Sequence, residues 1–241
     1  VWKALPGEVI MKTVGIIGGI GPESTIEYYR LIIASYQEQK RDGSYPSVII
    51  NSIDLKKIVE LITANELSGA VEYLVEEVQR LANAGADFAL LAANTPHVVF
   101  DEVRRRSLLP LLSIVEATCE EAKALGLTRL GLLGTRFTMQ GRFYRDVFSR
   151  EGIALVVPGE DEQIYIHARY MNELVKGIFL PETRERLLAI AGRLKEREGI
   201  EGLILGGTEL PLILRDDDAG DVPFLDTTRI HVKAVIARLL S

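Results

Sequence analysis

Short apolar runs rich in β-branched residues alternate along this chain with longer stretches whose apolar positions recur at helical spacing. A short apolar run closed by glycine suits a strand buried on both faces, as in a parallel sheet. Thr13–Ile17 reads this way. So do Val48–Ser52, Phe88–Ala92, Leu111–Ile114, Leu130–Leu133, Ala154–Val157, Leu203–Leu205 and the brief Phe224–Leu225. Helical spacing predicts helices over Glu23–Gln39, Leu67–Ala84, Val115–Leu125, Gly141–Glu151, Gln163–Gly177, Pro181–Glu198 and Thr228–Leu240. Pro22 suits a first helical turn, and Gly85 and Gly152 suit helix ends. Thr95 is placed to cap a further helix that Pro96 would open. Strands alternating with helices predict an α/β fold with parallel sheets and helices on both faces.

The pattern is also duplicated. Leu90-Leu91-Ala92-Ala93-Asn94-Thr95-Pro96-His97 ends one strand, and Ile204-Leu205-Gly206-Gly207-Thr208-Glu209-Leu210-Pro211 ends another. One constant shift lays Ala93 on Gly207 and Asn94 on Thr208, and lays Gly85–Leu90 on Gly199–Ile204. A similar shift lays Val14–Gly18 on Leu130–Gly134. The expectation is two pseudo-symmetric halves, each a parallel sheet flanked by helices, with an active-site cleft between them. Each matched loop then presents a group to one face of a ligand.

Three motifs in order carry a resemblance: Gly15-Ile16-Ile17-Gly18-Gly19-Ile20-Gly21-Pro22-Glu23-Ser24-Thr25, Asn94-Thr95-Pro96-His97, and Gly206-Gly207-Thr208-Glu209-Leu210-Pro211. From Met11 onward the chain resembles the aspartate/glutamate racemase family, which racemises amino acids without pyridoxal phosphate. The resemblance implies an amino-acid racemase or epimerase with no cofactor and no metal, and a homodimer. It implies a first half over 11–114 that takes back the closing segment 225–241, a second half over 115–224, and an extension over 1–10. It also implies a cysteine before Asn-Thr and another before Thr-Glu. This chain carries Ala93 and Gly207 there.

Racemisation needs a base on one face of the α-carbon and an acid on the other, a task that thiols of near-neutral pKa perform well. Ala93 and Gly207 carry no titratable atom, so a thiol pair cannot act at these positions. On a preserved scaffold, cysteines placed at both are expected to raise α-proton exchange. His97 and Glu209 are the substitute acid–base candidates, since histidine titrates near neutrality and burial raises a carboxyl toward it. Asn94 and Thr208 are expected to contact the ligand, and Thr95 to contact it, to cap a helix, or both. Thr135, Gln163 and His167 complete the substrate-binding set, and Tyr170 shares a helix face with His167. His231 is expected to be structural. Aspartate-specific members of the family carry a lysine after a segment like Glu160-Asp161-Glu162-Gln163, and an arginine after the second strand. Here Ile164 follows that segment, and Lys56 and Lys57 are the nearest cations to the second strand. A less polar amino acid or another small carboxylate therefore stands beside an acidic substrate. Three readings stay open: a racemase with substitute groups, another α-carbanion enzyme such as a decarboxylase or isomerase, and a non-catalytic carboxylate-binding protein.

Composition narrows the partners. A net charge of −6 argues against nucleic acid and anionic membranes as partners, while the resemblance implies a small carboxylate or amino acid as the ligand. The short clusters Arg104-Arg105-Arg106 and Asp216-Asp217-Asp218 read as solvated surface. Cys119 is the one cysteine, which excludes an intrachain disulfide and fits a cytoplasmic protein. It falls inside a helix pattern and is expected to be an inert core residue. No apolar run reaches membrane-spanning length, and Val1–Ile10 lacks the apolar core of a secretory signal. Gly19-Ile20-Gly21-Pro22-Glu23-Ser24 only loosely matches a dinucleotide loop, with serine in place of the third glycine.

Overall fold

A computed structural model describes residues 12–215, 218, 220 and 222–241. The expectation for residues 1–10 and the Asp216 and Asp217 part of the acidic cluster lie outside the described residues.

Among the described residues the apolar runs form eight strands in two parallel sheets. In the first, β1 (Thr13–Gly18) lies between β2 (Ser47–Ser52) and β3 (Phe88–Leu91), and β4 (Leu111–Leu112) borders β3. In the second, β5 (Arg129–Gly134) lies between β6 (Ala154–Val156) and β7 (Gly202–Gly206), and β8 (Phe224–Asp226) borders β7. The strand order is thus repeated, as the duplicated pattern requires. The register pairs Ile16 with Ile50 and Leu90 in the first sheet, and Leu132 with Ile204 in the second.

Both faces of each sheet are buried. On one face of the first sheet Ile17, Ala89 and Leu91 pack against α2 (Leu55–Thr63) and α3 (Leu67–Asn83) through Ile58, Leu74 and Val78. On the other, Val14, Ile16, Phe88 and Leu90 meet Tyr28 and Ile32 of α1 (Pro22–Lys40). Val232, Val235 and Ile236 of α11 (Thr227–Leu240) join that cluster, so the closing helix returns to the first sheet directly after β8. In the second sheet Leu130, Leu132 and Ile204 pack on α5 (Ile114–Ala124) and α7 (Arg142–Arg150). Leu133, Leu203 and Leu205 pack on α8 (Glu160–Asn172) and α9 (Pro181–Glu198).

Several boundaries differ from the sequence expectation. Helix α8 starts at Glu160, and a separate 3-10 turn covers Leu174–Lys176. Ile114 opens α5 under the Ser113 cap instead of ending β4. Thr95 caps no helix: it is the first residue of the 3-10 turn Thr95–Val99, with Asn94 at the cap position and no side-chain cap bond, and α4 (Phe100–Arg106) comes next. Helix α2 is absent from the sequence expectation, although its signals are present. The Asp54 carboxylate accepts from the Lys56 N–H at 2.9 Å, and Leu55, Ile58 and Ile62 fall on one helical face.

Candidate functional site

The matched loops leave the C-terminal ends of β3 and β7, beside the loops that follow β1 and β5. Order reverses at these strands in each sheet, which is where open α/β sheets form ligand crevices. Ala93, Asn94 and Thr95 from one loop and Gly207, Thr208 and Glu209 from the other line a single pocket with a cavity volume of about 40 Å³. Thr135 and Phe137 come from the loop after β5 and from α6 (Arg136–Gln140), and Tyr170 and Met171 from α8. The remaining wall is aliphatic: Ile20, then Leu55, Ile58, Val59 and Ile62 of α2, and Val175. Among the described lining residues none is a lysine or arginine. Lys57 lies over the Tyr73 ring at 3.9 Å and Lys56 faces Glu60 at 3.7 Å.

Buried hydroxyls and amides hold the loops. Asn94 is 2 % exposed, and its side-chain oxygen accepts from the Tyr144 hydroxyl at 2.6 Å. Its amide donates to Thr227 at 3.2 Å, and Thr227 in turn donates to the Leu205 carbonyl of β7 at 2.8 Å. Asn94 therefore ties the first loop to the second sheet, with one amide hydrogen left over. The Thr95 and Thr135 hydroxyls share a hydrogen bond of 2.9 Å across the two halves. Thr135 also caps α6. The Ser24 hydroxyl of α1 donates to the Ala92 carbonyl at 3.0 Å.

Around Gly207 the arrangement differs from the sequence expectation. A β-carbon at this position would stand 2.4 Å from Tyr170 Cε2 and 2.8 Å from its hydroxyl oxygen. The tyrosine ring thus occupies the space a cysteine there would need, so the position cannot simply be restored. The Tyr170 hydroxyl donates to Glu209 Oε2, and the Thr208 hydroxyl donates to the same oxygen at 3.1 Å. Glu209 is 1 % exposed, and its second oxygen, Oε1, has no hydrogen-bond partner. That oxygen lies against Gly21, where a β-carbon would come within 1.9 Å of it; Gly21 also has φ 94°, which favours glycine. Burial pushes the Glu209 carboxyl above its usual range, against the pull of the Tyr170 and Thr208 hydrogen bonds. Burial and the Glu209 charge push the Tyr170 hydroxyl well above 10, so the tyrosine stays protonated. A phosphate on the glycine loop would meet this carboxyl, which disfavours the dinucleotide reading.

The other candidates lie elsewhere. His97 is buried behind the loop, its Nδ1 at 3.1 Å from the Ala93 carbonyl and its Nε2 accepting from the Ile114 N–H at 3.3 Å. Burial lowers its pKa to about 3. The ring is neutral with both nitrogens engaged on main chain, so it braces the loop and has no free nitrogen for a ligand. Gln163 donates to the Pro158 carbonyl at 2.7 Å and accepts from Gln140 at 3.0 Å. His167 is half-buried against Phe137, with its Nδ1 accepting from the Arg136 N–H at 3.4 Å. Neither residue lines the pocket; Tyr170, one turn further along the same helix face, does. His231 bridges the Tyr28 hydroxyl and the Leu112 carbonyl. Cys119 is 1 % exposed in the core beside Tyr144 and Phe148, and burial raises its thiol to about 11. Among the described residues there is no cluster of metal-ligating side chains. No helix among them is long and apolar enough to cross a membrane.

Known proteins share this fold. The chain is 25% identical over 234 residues to the broad specificity amino-acid racemase RacX of Bacillus subtilis, covering 95% of this chain and 98% of that one. An aspartate racemase homologue from Pyrococcus horikoshii OT3 superposes with a TM-score of 0.82 at 36% identity, over 96% of this chain and 100% of the other. The Picrophilus torridus aspartate racemase, at 23% identity, shares the fold with a TM-score of 0.77 over 95% and 94% of the two chains. Residues 17–235 match the family profile described as Asp/Glu/Hydantoin racemase, and the chain belongs to that family.

Proposed function

We propose that the pocket between the matched loops binds a small amino acid or related carboxylic acid, and that its chemistry is cofactor-independent proton transfer at the α-carbon. The observation that carries this reading is the meeting of the Ala93–Thr95 and Gly207–Glu209 loops on one pocket. Family membership supports the reaction class. Main-chain N–H groups at the loop turns suit a carboxylate. The wall from α2 favours a ligand with an aliphatic side chain, because an acidic one would be buried without a cation. With alanine and glycine at the two loop centres, a thiol pair takes no part.

A second reading has its own support. Ala93 has no proton to exchange and Glu209 sits beside the other loop, which favours one-sided carbanion chemistry over racemisation. Calorimetric titration with a panel of amino acids, 2-oxo acids and dicarboxylates, run beside α-hydrogen exchange in deuterated water, tests both. Small carboxylic acids with aliphatic side chains should bind, and aspartate should bind weakly. Absence of binding across the panel would overturn the proposal.

A further inference from the structure

We infer that Glu209 is the acid–base group of this pocket and that it serves one face of the ligand only, exchanging a C–H proton without inverting the carbon. The inference rests on the pocket being a site for small carboxylic acids.

Three observations converge on Glu209. Glu209 lines the pocket, its Oε2 fixed by two hydroxyl donors, Tyr170 and Thr208, while Oε1 is buried against Gly21 with no partner. A buried carboxylate oxygen left open costs stability, so a purely structural role accounts poorly for it. The two neighbouring positions that could have obstructed this carboxyl are both glycine. Gly21 makes room for Oε1, and Gly207 makes room for the tyrosine that holds Oε2. On the opposite loop the matched position is Ala93, a methyl group 5 % exposed that moves no proton. His97 behind it has both nitrogens occupied. The acid–base equipment is therefore on one side.

The step balances within the site. The Glu209 carboxylate takes the proton from the carbon next to the ligand's carbonyl group. The C–H bond breaks and its electron pair moves onto that carbonyl as an enolate. The same carboxyl, having exchanged its proton with solvent, returns one to the same face. No second acid, oxidant or cofactor enters. Tyr170 acts as a positioning residue, since its hydrogen bond holds the carboxyl and favours the ionised form. The charged group that opposes ionisation from outside the pocket is Glu23 of α1.

The test uses each enantiomer of 2-aminobutyrate and of valine with the intact chain in deuterated water. Loss of the α-hydrogen signal is followed by NMR, and enantiomer composition by chiral chromatography. Exchange should proceed with the starting configuration retained, inversion being at least ten times slower. Glu209→Gln should lower exchange about a hundredfold, the usual scale for one acid–base group, with calorimetric affinity held within about threefold. Tyr170→Phe should move the inflection of the exchange pH profile upward, with exchange lost at lower pH and recovered at higher pH, a shift a merely structural tyrosine would not produce. Binding without exchange would overturn the inference and leave the pocket reading standing, as would inversion at the rate of exchange or an active Glu209→Gln variant. No binding of any probe would overturn both.

Discussion

Tyr170 and Gly207 share one volume: a β-carbon at 207 would stand 2.4 Å from the tyrosine ring. Gly207→Cys should therefore overpack a buried site and cost about 1–3 kcal/mol. Urea unfolding of Gly207→Cys, Tyr170→Ala and the double variant checks this. The double variant should be less destabilised than the sum of the two single changes, because the truncated ring gives the thiol its space. Additive losses would mean the two positions do not compete.

Asn94 is a brace, and its removal should be felt as one. Truncation removes the Asn94 oxygen that the fully buried Tyr144 hydroxyl donates to, leaving Thr118 beside it, and removes the donor to Thr227. Asn94→Ala should lose about 1–3 kcal/mol, the penalty for stranding a buried polar group. A change within about 0.5 kcal/mol, the range of ordinary surface substitutions, would show that the bridge carries little.

Two buried histidines should make the fold acid-sensitive. Burial holds His97 at about 3 and His231 at about 4, below the usual 6.5. The unfolded chain binds their protons first as pH falls. Stability is therefore fully present above about 6.5 and is lost progressively toward pH 4. Thermal unfolding between pH 7 and pH 4 should show the loss. His97→Gln should lower stability at pH 7 yet flatten the slope. A slope unchanged in that variant would remove His97 as a cause.

Selectivity should follow the aliphatic wall. With no lysine or arginine among the described lining residues, aspartate should bind at least tenfold more weakly than 2-aminobutyrate. Val59→Arg, on the α2 wall, should narrow that gap in competition calorimetry. An unchanged preference would place the ligand's side chain against another wall.

The alternation of apolar runs and helical stretches made the two parallel sheets legible, and the duplicated loops made the pocket legible. Both depend on short-range pattern and internal repetition, which one sequence contains. What side chains do with their hydrogen bonds is set by distant partners and was not legible. Asn94 lines the pocket, yet Tyr144 and Thr227 also hold its side chain, and Gln163, expected beside the ligand, is held by Gln140 and Pro158. His97 reads as a proton carrier until the Ala93 carbonyl and the Ile114 N–H take its ring. The tyrosine against Gly207 comes from α8, far along the chain, so the steric reason for a glycine there could not be read from the loop itself.

Glu209 should cost the fold stability at neutral pH. Its folded pKa is raised, mainly by burial. Such a group contributes stability below its unfolded pKa that is lost as pH rises through the folded value. Ionisation in the folded protein puts a charge on a buried carboxyl whose Oε1 has no hydrogen-bond donor, and the unfolded chain does not bear that cost. Glutamine keeps an oxygen to accept from Tyr170 and removes the charge. Glu209→Gln should therefore be more stable than the native chain at pH 8, by about 1–3 kcal/mol, with the gain shrinking toward pH 4. Urea midpoints at the two pH values measure this directly. A residue retained at a cost in stability is the pattern expected where a site needs the group for its chemistry. A Glu209→Gln variant destabilised equally at both pH values would instead make the carboxylate a structural acceptor.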